Sequence, residues 1–400
     1  MTLIPILCAL SVLAADSPQF RGPNRDGVFP AKQLMSSWPD SGPNEIWATE
    51  GLGEGFASVA IVGDRIYTTG SPQQTAYVYA LDTDGTYVWK TRLGAEHPGG
   101  GYPGSRSTPT VDGDFLYVLT GSGILACLKT SDGSVVWQHD APKDMNAAQE
   151  NSYFGMAENV LIDGDHVIFT PGSSEGTVMA LNKLNGEVIW KSKGTDQKAS
   201  FCSIRVFESQ HTRQLITMTA SAMLGVDPNN GQVKWQYDYP AQYAIHAVSP
   251  VFHGNQIYVS DGYGQGGTGF QLSEDGSSIK KMWKEDSLDI HHGGAVTLDG
   301  YVYGTSNKGH LICLDMMTGS VVAEVKDVGK GSTVYADGRL YCYGEKGQFS
   351  LVDPNPKNMK VVSSFKVEKG SSHHWAHPVI TDGRLYVRHG DVLLAYNIAR

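Results

Sequence analysis

The sequence predicts an all-β fold, an eight-bladed β-propeller of four-stranded antiparallel blades, closed by an N-terminal strand joining the C-terminal blade. Three observations lead there. First, one phrase recurs: a small residue, an apolar residue and often Asp or Asn precede a turn Gly, and Trp follows four residues later. It runs from Ala80-Leu81-Asp82 to Gly85 and Trp89, and from Ala126-Cys127-Leu128 to Gly133 and Trp137. It returns from Ala180-Leu181-Asn182 to Gly186 and Trp190, and from Gly225-Val226-Asp227 to Gly231 and Trp235. Second, a hairpin phrase lies upstream, as in Ile61-Val62-Gly63-Asp64-Arg65-Ile66-Tyr67. Gly and Asp between β-rich runs mark a tight turn. Third, the turn glycines Gly63, Gly113, Gly164, Gly254, Gly300, Gly338 and Gly383 recur at a period of ~40–50 residues, with Gly164 to Gly254 spanning two repeats, and that is the period of propeller blades.

Taken in order, the chain opens with a mostly apolar run from Leu3 to Leu13, and Val12-Leu13-Ala14 offers a small-residue cleavage site. Residues 1–15 are therefore expected to be an export signal, although no Lys or Arg precedes the run. Residues 16–43 are expected to be an extended segment, and residues 44–400 the propeller. The first four blades end on the four intact phrases. The fourth uses Glu208-Ser209-Gln210-His211 in place of an Asp-Gly turn. The fifth has a longer turn between Gly276 and Trp283, and the sixth keeps Leu314-Asp315 and Gly319 but has Ala323 at the Trp place. The seventh is degenerate, from Leu351-Val352-Asp353 to Phe365. The eighth begins at Ala376 and holds only three strands before Arg400. Its fourth strand is expected from Asn44-Glu45-Ile46-Trp47-Ala48-Thr49, which closes the ring and removes an exposed sheet edge. The repeated Gly permits positive φ at its turn, and the repeated indole is expected to fill the wedge between blades.

Composition narrows the function. The formal net charge is −10 over 400 residues, which argues against nucleic acid as the main partner. No stretch approaches the ~20 apolar residues of a membrane-spanning helix. Beyond the signal remain Cys127, Cys202, Cys313 and Cys342. Cys127 and Cys313 occupy the slot that holds Ala180 and Gly225 in other blades, so they read as packing thiols.

A candidate site comes from the links between blades, which run over one face and end at the mouth of the central channel. Counting back eight residues from each turn Gly places His246, His292 and Lys330 at equivalent positions, with Arg106 one place later and His291 and His374 one place earlier. His377 aligns with Glu158 two places later. A basic rim in an acidic protein would attract a small anion, and neutral imidazoles could bind a transition metal. The same side chains could equally be hydrated neighbours of a solvent-filled channel. No Ser-His-Asp order, phosphate loop or dinucleotide fingerprint occurs. Gly262-Tyr263-Gly264-Gln265-Gly266-Gly267 lies between two strands and reads as a blade loop.

From about residue 45 onward, these phrases resemble the pyrroloquinoline-quinone (PQQ) type of propeller repeat. Exported proteins with PQQ-binding-like propellers are similar in Pro18-Gln19-Phe20-Arg21-Gly22-Pro23-Asn24, His291-His292-Gly293-Gly294, Gly329-Lys330-Gly331-Ser332 and Trp375-Ala376-His377-Pro378. The resemblance implies one of two functions. One is a BamB-like non-catalytic scaffold that binds a protein partner or a small anionic or polar ligand. The other is a quinoprotein alcohol or sugar dehydrogenase, with PQQ and calcium over the channel mouth. The adjacent-cysteine disulfide of the dehydrogenases is absent and no Glu/Asn/Asp calcium set can be placed. Asp82-Thr83-Asp84-Gly85 lacks the later Glu of a calcium loop and reads as the turn before Trp89. The scaffold's lipid-attachment cysteine is missing too. The expectation is an exported, monomeric scaffold in the periplasm or medium, without a committed cofactor.

Overall fold

In the structure, a computed structural model, residues 16–400 are described. The export signal expected over residues 1–15 lies outside them. Among the described residues eight sheets form a ring, and seven have four strands in simple up-and-down order. Blade one comprises Ala60–Val62, Arg65–Gly70, Thr75–Asp82 and Tyr87–Ala95. The others repeat that plan, their inner strands beginning at Thr110, Leu161, Arg205, Val251, Val296, Gly331 and Val379. Blade four turns between Glu208 and Arg213, which face each other across the hairpin. The eighth blade is closed as expected: Asn44–Thr49 pairs antiparallel with Val392–Asn397, with Trp47 opposite Ala395.

The wedge between blades is built from the repeated phrase. Trp89 donates its indole N–H to the carbonyl of Thr130, Trp137 to that of Lys183, and Trp190 to that of Pro228. Each acceptor lies in the turn of the next blade, and the indole lies on that turn's Gly. A Cβ on Gly133 would come within 2.5 Å of Trp89, and one on Gly186 within 2.9 Å of Trp137. Gly133 and Gly186 also have φ of 72° and 76°, a region costly for any residue with a Cβ. The Gly thus serves both its own turn and its neighbour's Trp. Trp235 departs from the pattern. Its N–H bonds Gln214 Oε1 in its own blade, and Gly276 beyond it packs on Thr212 and Gln214 instead. The longer turn of blade five presents no carbonyl to that indole. The four cysteines are free and buried. Burial pushes the thiols of Cys127, Cys202 and Cys342 up to about 12 and that of Cys313 to about 11, which leaves them inert.

The N-terminal segment does more than connect. Ser17 makes a reciprocal backbone pair with Ile61, and the Val111 N–H donates to the carbonyl of Pro18. The chain then turns back at Arg21 and Arg25, both with positive φ, and Val28–Phe29 runs parallel to Tyr335–Ala336 as a fifth strand on blade seven. The Leu34 N–H donates to Asp337, and Trp38 packs on Tyr341, Phe349 and Phe365. Residues 17–29 therefore occupy the channel and touch the inner edges of six blades.

Candidate functional site

The plug leaves the link-side mouth as a blind cup. Its cavity measures about 700 Å³ and is walled by aromatic rings, with Phe20 of the plug among its lining residues. Trp375 is the hub. His373 stacks on it at 4.5 Å and 9°, Phe56 lies 4.8 Å away, Tyr102 5.1 Å and His292 5.4 Å. The belt continues through Phe154 and Phe201 on one side and through His291, Tyr263 and Tyr243 on the other.

The predicted residues divide into those that meet the cup and those that do not. Arg106, His291, His292, Lys330 and His377 line it. The Arg106 guanidinium lies between Phe56 and Phe154, 5.0 and 5.5 Å from their centroids, and donates to the carbonyls of Phe154 and Tyr102. Burial lowers its pKa to about 10, so it stays charged at neutral pH. Lys330 Nζ is 3.6 Å from Glu345 Oε2 and His292 Nε2 3.7 Å from the same oxygen. The second distance is too long for a hydrogen bond, and neither ring nitrogen of His292 has a partner. Trp375 donates its N–H to Glu345 at 3.3 Å. The polar edge of His292, the Lys330 charge and the Trp375 N–H keep the Glu345 carboxyl below its ordinary pKa.

His377 forms part of the floor. Its Nδ1 lies 3.1 Å from an Arg21 nitrogen and its Nε2 3.0 Å from the carbonyl of His292. Arg can only donate, so Nδ1 accepts and Nε2 carries the proton. Burial, then the Arg21 charge, keep this imidazole well below its ordinary pKa. Burial likewise lowers His292, and lowers His291 to about 3. These three imidazoles are therefore mostly neutral near pH 6.5, where a free histidine gains charge.

His246, His374 and Glu158 do not reach the cup. His246 is 1% exposed, with Nδ1 2.6 Å from Asp261 and Nε2 2.9 Å from the carbonyl of Tyr239. His374 bonds the Tyr343 hydroxyl and stacks on His389. Glu158 accepts from the N–H and hydroxyl of Thr170, and burial pushes its carboxyl up to about 8. These three lie in the links that were aligned, but successive side chains of an extended link point to opposite sides. Thus His373 faces the cup and His374 does not. The aromatic walls and Glu345 were missed. Glu345 sits in the turn after the second strand of blade seven, outside the links that were aligned.

The donor set suits some ligands and not others. Calcium takes six to eight oxygen ligands. The single carboxylate in the lining, Glu345, is already engaged by Lys330 and Trp375. Among the described residues no three His, Cys, Asp or Glu side chains are grouped to hold a metal ion. The residues therefore do not fit the calcium–PQQ pair of quinoprotein dehydrogenases. What they offer is flat apolar surface, cationic nitrogens and free imidazole edges.

Eight blades, several of them joined by a repeated Gly–Trp wedge, with a plugged channel under an aromatic cup, define a propeller of the PQQ-repeat class. The chain belongs to the PQQ-repeat family whose profile is described as outer membrane protein assembly factor BamB and which matches residues 74–325. Among curated proteins it is 25% identical to outer membrane protein assembly factor BamB of Yersinia pestis, over 76% of this chain and 75% of that one. It is also 25% identical to quinoprotein alcohol dehydrogenase PedH of Pseudomonas putida, but over 55% of this chain and 35% of that longer protein. In solved structures the fold is shared with BamB of Moraxella catarrhalis, at TM-score 0.64 and 17% identity, covering 88% of this chain and 97% of that one. It is shared also with a europium-containing methanol dehydrogenase, at TM-score 0.71 and 13% identity, covering 94% of this chain and 90% of that one. The fold alone therefore does not separate scaffold from enzyme.

Proposed function

We propose that this protein is an exported, non-catalytic binding propeller whose channel mouth receives a flat ring group, presented by a small ligand or by a partner protein. The aromatic cup around Trp375 carries this reading. Its volume lies in the range of small-ligand pockets, roughly 300–1,000 Å³, and its walls are rings arranged to stack. Its polar groups hold rather than react. Lys330 and Glu345 neutralise one another, Arg106 is clamped between two rings, and His377 is fixed as a neutral tautomer by Arg21. The likeness to BamB, a named assembly factor, supports a binding role, and the apolar run from Leu3 to Leu13 supports export.

Titration with 2-naphthoate, followed by tryptophan fluorescence, tests the cup. The wild-type protein is expected to bind with a saturable change. Trp375→Ala should lose most of the affinity while keeping its far-ultraviolet circular dichroism and unfolding midpoint. Unchanged binding by a folded Trp375→Ala protein would place the ligand elsewhere and overturn the reading.

A further inference from the structure

We infer that the N-terminal plug sets the charge preference of the cup: Arg21, placed beneath Phe20, makes the cavity select anionic ligands. This rests on the mouth being a binding site, and it names the ligand's charge and the segment that recognises it.

The plug's guanidiniums are built in with care. Arg21 donates to the carbonyls of Gly293, Thr333, Asp26 and Ala295 and to Nδ1 of His377. It is 3% exposed. Space for it is reserved by glycines: a Cβ on Gly27 or on Gly294 would fall 2.2 Å from its terminal nitrogens. Arg25 donates to the carbonyls of Val160 and Asn159 and to the Gln19 side chain. Arg205, which opens the inner strand of blade four, donates to the carbonyl of Pro250 at the start of blade five. All of these acceptors are neutral.

Three buried cations thus meet little opposite charge. Asp26 influences Arg21 and Arg205, and its carboxylate accepts the N–H of Val28. Glu158 faces Arg25, but its carboxyl, pushed up to about 8, is mostly protonated at neutral pH. The backbone carbonyls satisfy the hydrogen bonds and leave a net positive charge under the floor. The floor itself is thin: Phe20 packs edge-on against His377 at 4.8 Å, and His377 bonds Arg21. A buried charge is poorly screened by salt water, so its field reaches into the cup. Lys330 adds little, being paired with Glu345. A stacked ring bearing a carboxylate would therefore be held better than its uncharged counterpart.

The test uses the full-length protein, 2-naphthoate and its neutral counterpart 2-naphthamide. The wild-type protein should prefer the anion by about tenfold at low salt, an interaction of a little over 1 kcal/mol in affinity terms. Arg21→Gln should bring the two affinities within about twofold, and Arg21→Lys should keep most of the preference, as expected for a point charge. Asp26→Asn retains the acceptor for Val28 and removes a negative charge, so it should raise the preference even if Arg21→Gln does not fold. Equal binding of both probes by the wild type would overturn this inference and leave the cup standing. A preference unchanged in Asp26→Asn and in folded Arg21→Gln would assign it to Arg106 and Lys330, and the plug would lose its role. Failure of both probes to bind would overturn both readings.

Discussion

Replacing Trp137 by Ala is the sharpest test of how the ring is held together. The indole is 9% exposed, rests on Gly186 of the next blade, lies 6.1 Å from the Tyr117 ring and donates to the carbonyl of Lys183. An aromatic side chain buries roughly 150–250 Å², which at about 25 cal/mol per Å² is about 4–6 kcal/mol. The hydrogen bond adds about 1 kcal/mol. Ala keeps part of that burial and neighbours relax partly into the space, so the expected loss is about 3–5 kcal/mol. Trp137→Phe should lose about 2 kcal/mol, since it keeps a ring but strands the Lys183 carbonyl. Gly186→Ala should cost about 1–3 kcal/mol, because its positive φ is strained for Ala and its Cβ meets the indole. Guanidinium unfolding of the four proteins measures all three. If Trp137→Ala unfolded within about 1 kcal/mol of the wild type, well below the range for buried aromatic truncation, the wedge would not depend on the indole.

Deletion of residues 16–50 should remove the outer strand of blade eight, the fifth strand of blade seven and the channel plug together. Aggregation or a large fall in stability is expected on purification; an unchanged denaturant midpoint would contradict the closure. The neutral histidines predict loss of stability in acid. Burial lowers His374 to about 4 and His291 to about 3, and lowers His292 and His377. The unfolded chain therefore binds more protons below pH ~6.5, so protonating these imidazoles costs stability as the pH falls. Glu158 acts oppositely, since its raised pKa makes the folded state the stronger proton binder between about 4.5 and 8. With His97 also lowered and Glu96 and Glu285 also raised by burial, five lowered imidazoles face three raised carboxyls, so unfolding free energy should fall from pH 7 to pH 5; a rise would contradict the neutrality of the imidazoles.

The ring was legible because its constraint is local and repeated. Gly186 and Trp137 serve the same junction in successive blades, so their spacing survives in the sequence. The same logic exposed Asn44–Thr49 as the missing strand. Trp235 was read as equivalent to the others, yet the wider gap from Gly276 to Trp283 already marked the turn that fails to receive it. The site was legible only in part. Offsets from the turn Gly locate a backbone position, which sufficed for Arg106, His292 and Lys330. They do not choose between adjacent side chains, so His374 stood in for His373. The plug carries no periodicity. Its sign was the run from Pro18 to Asn24, where Arg21 and Arg25 find their partners on blades hundreds of residues away.

The central claim, that the mouth holds a ligand without turning it over, meets its most direct test in quinone reconstitution. The purified protein would be incubated with PQQ and calcium, and artificial-dye reduction followed across a panel of alcohols and sugars. With Glu345 engaged and no calcium set in the cup, the rate should equal that of PQQ and calcium alone. Substrate-dependent reduction at stoichiometric PQQ, abolished in Trp375→Ala, would contradict the account and make the protein a dehydrogenase.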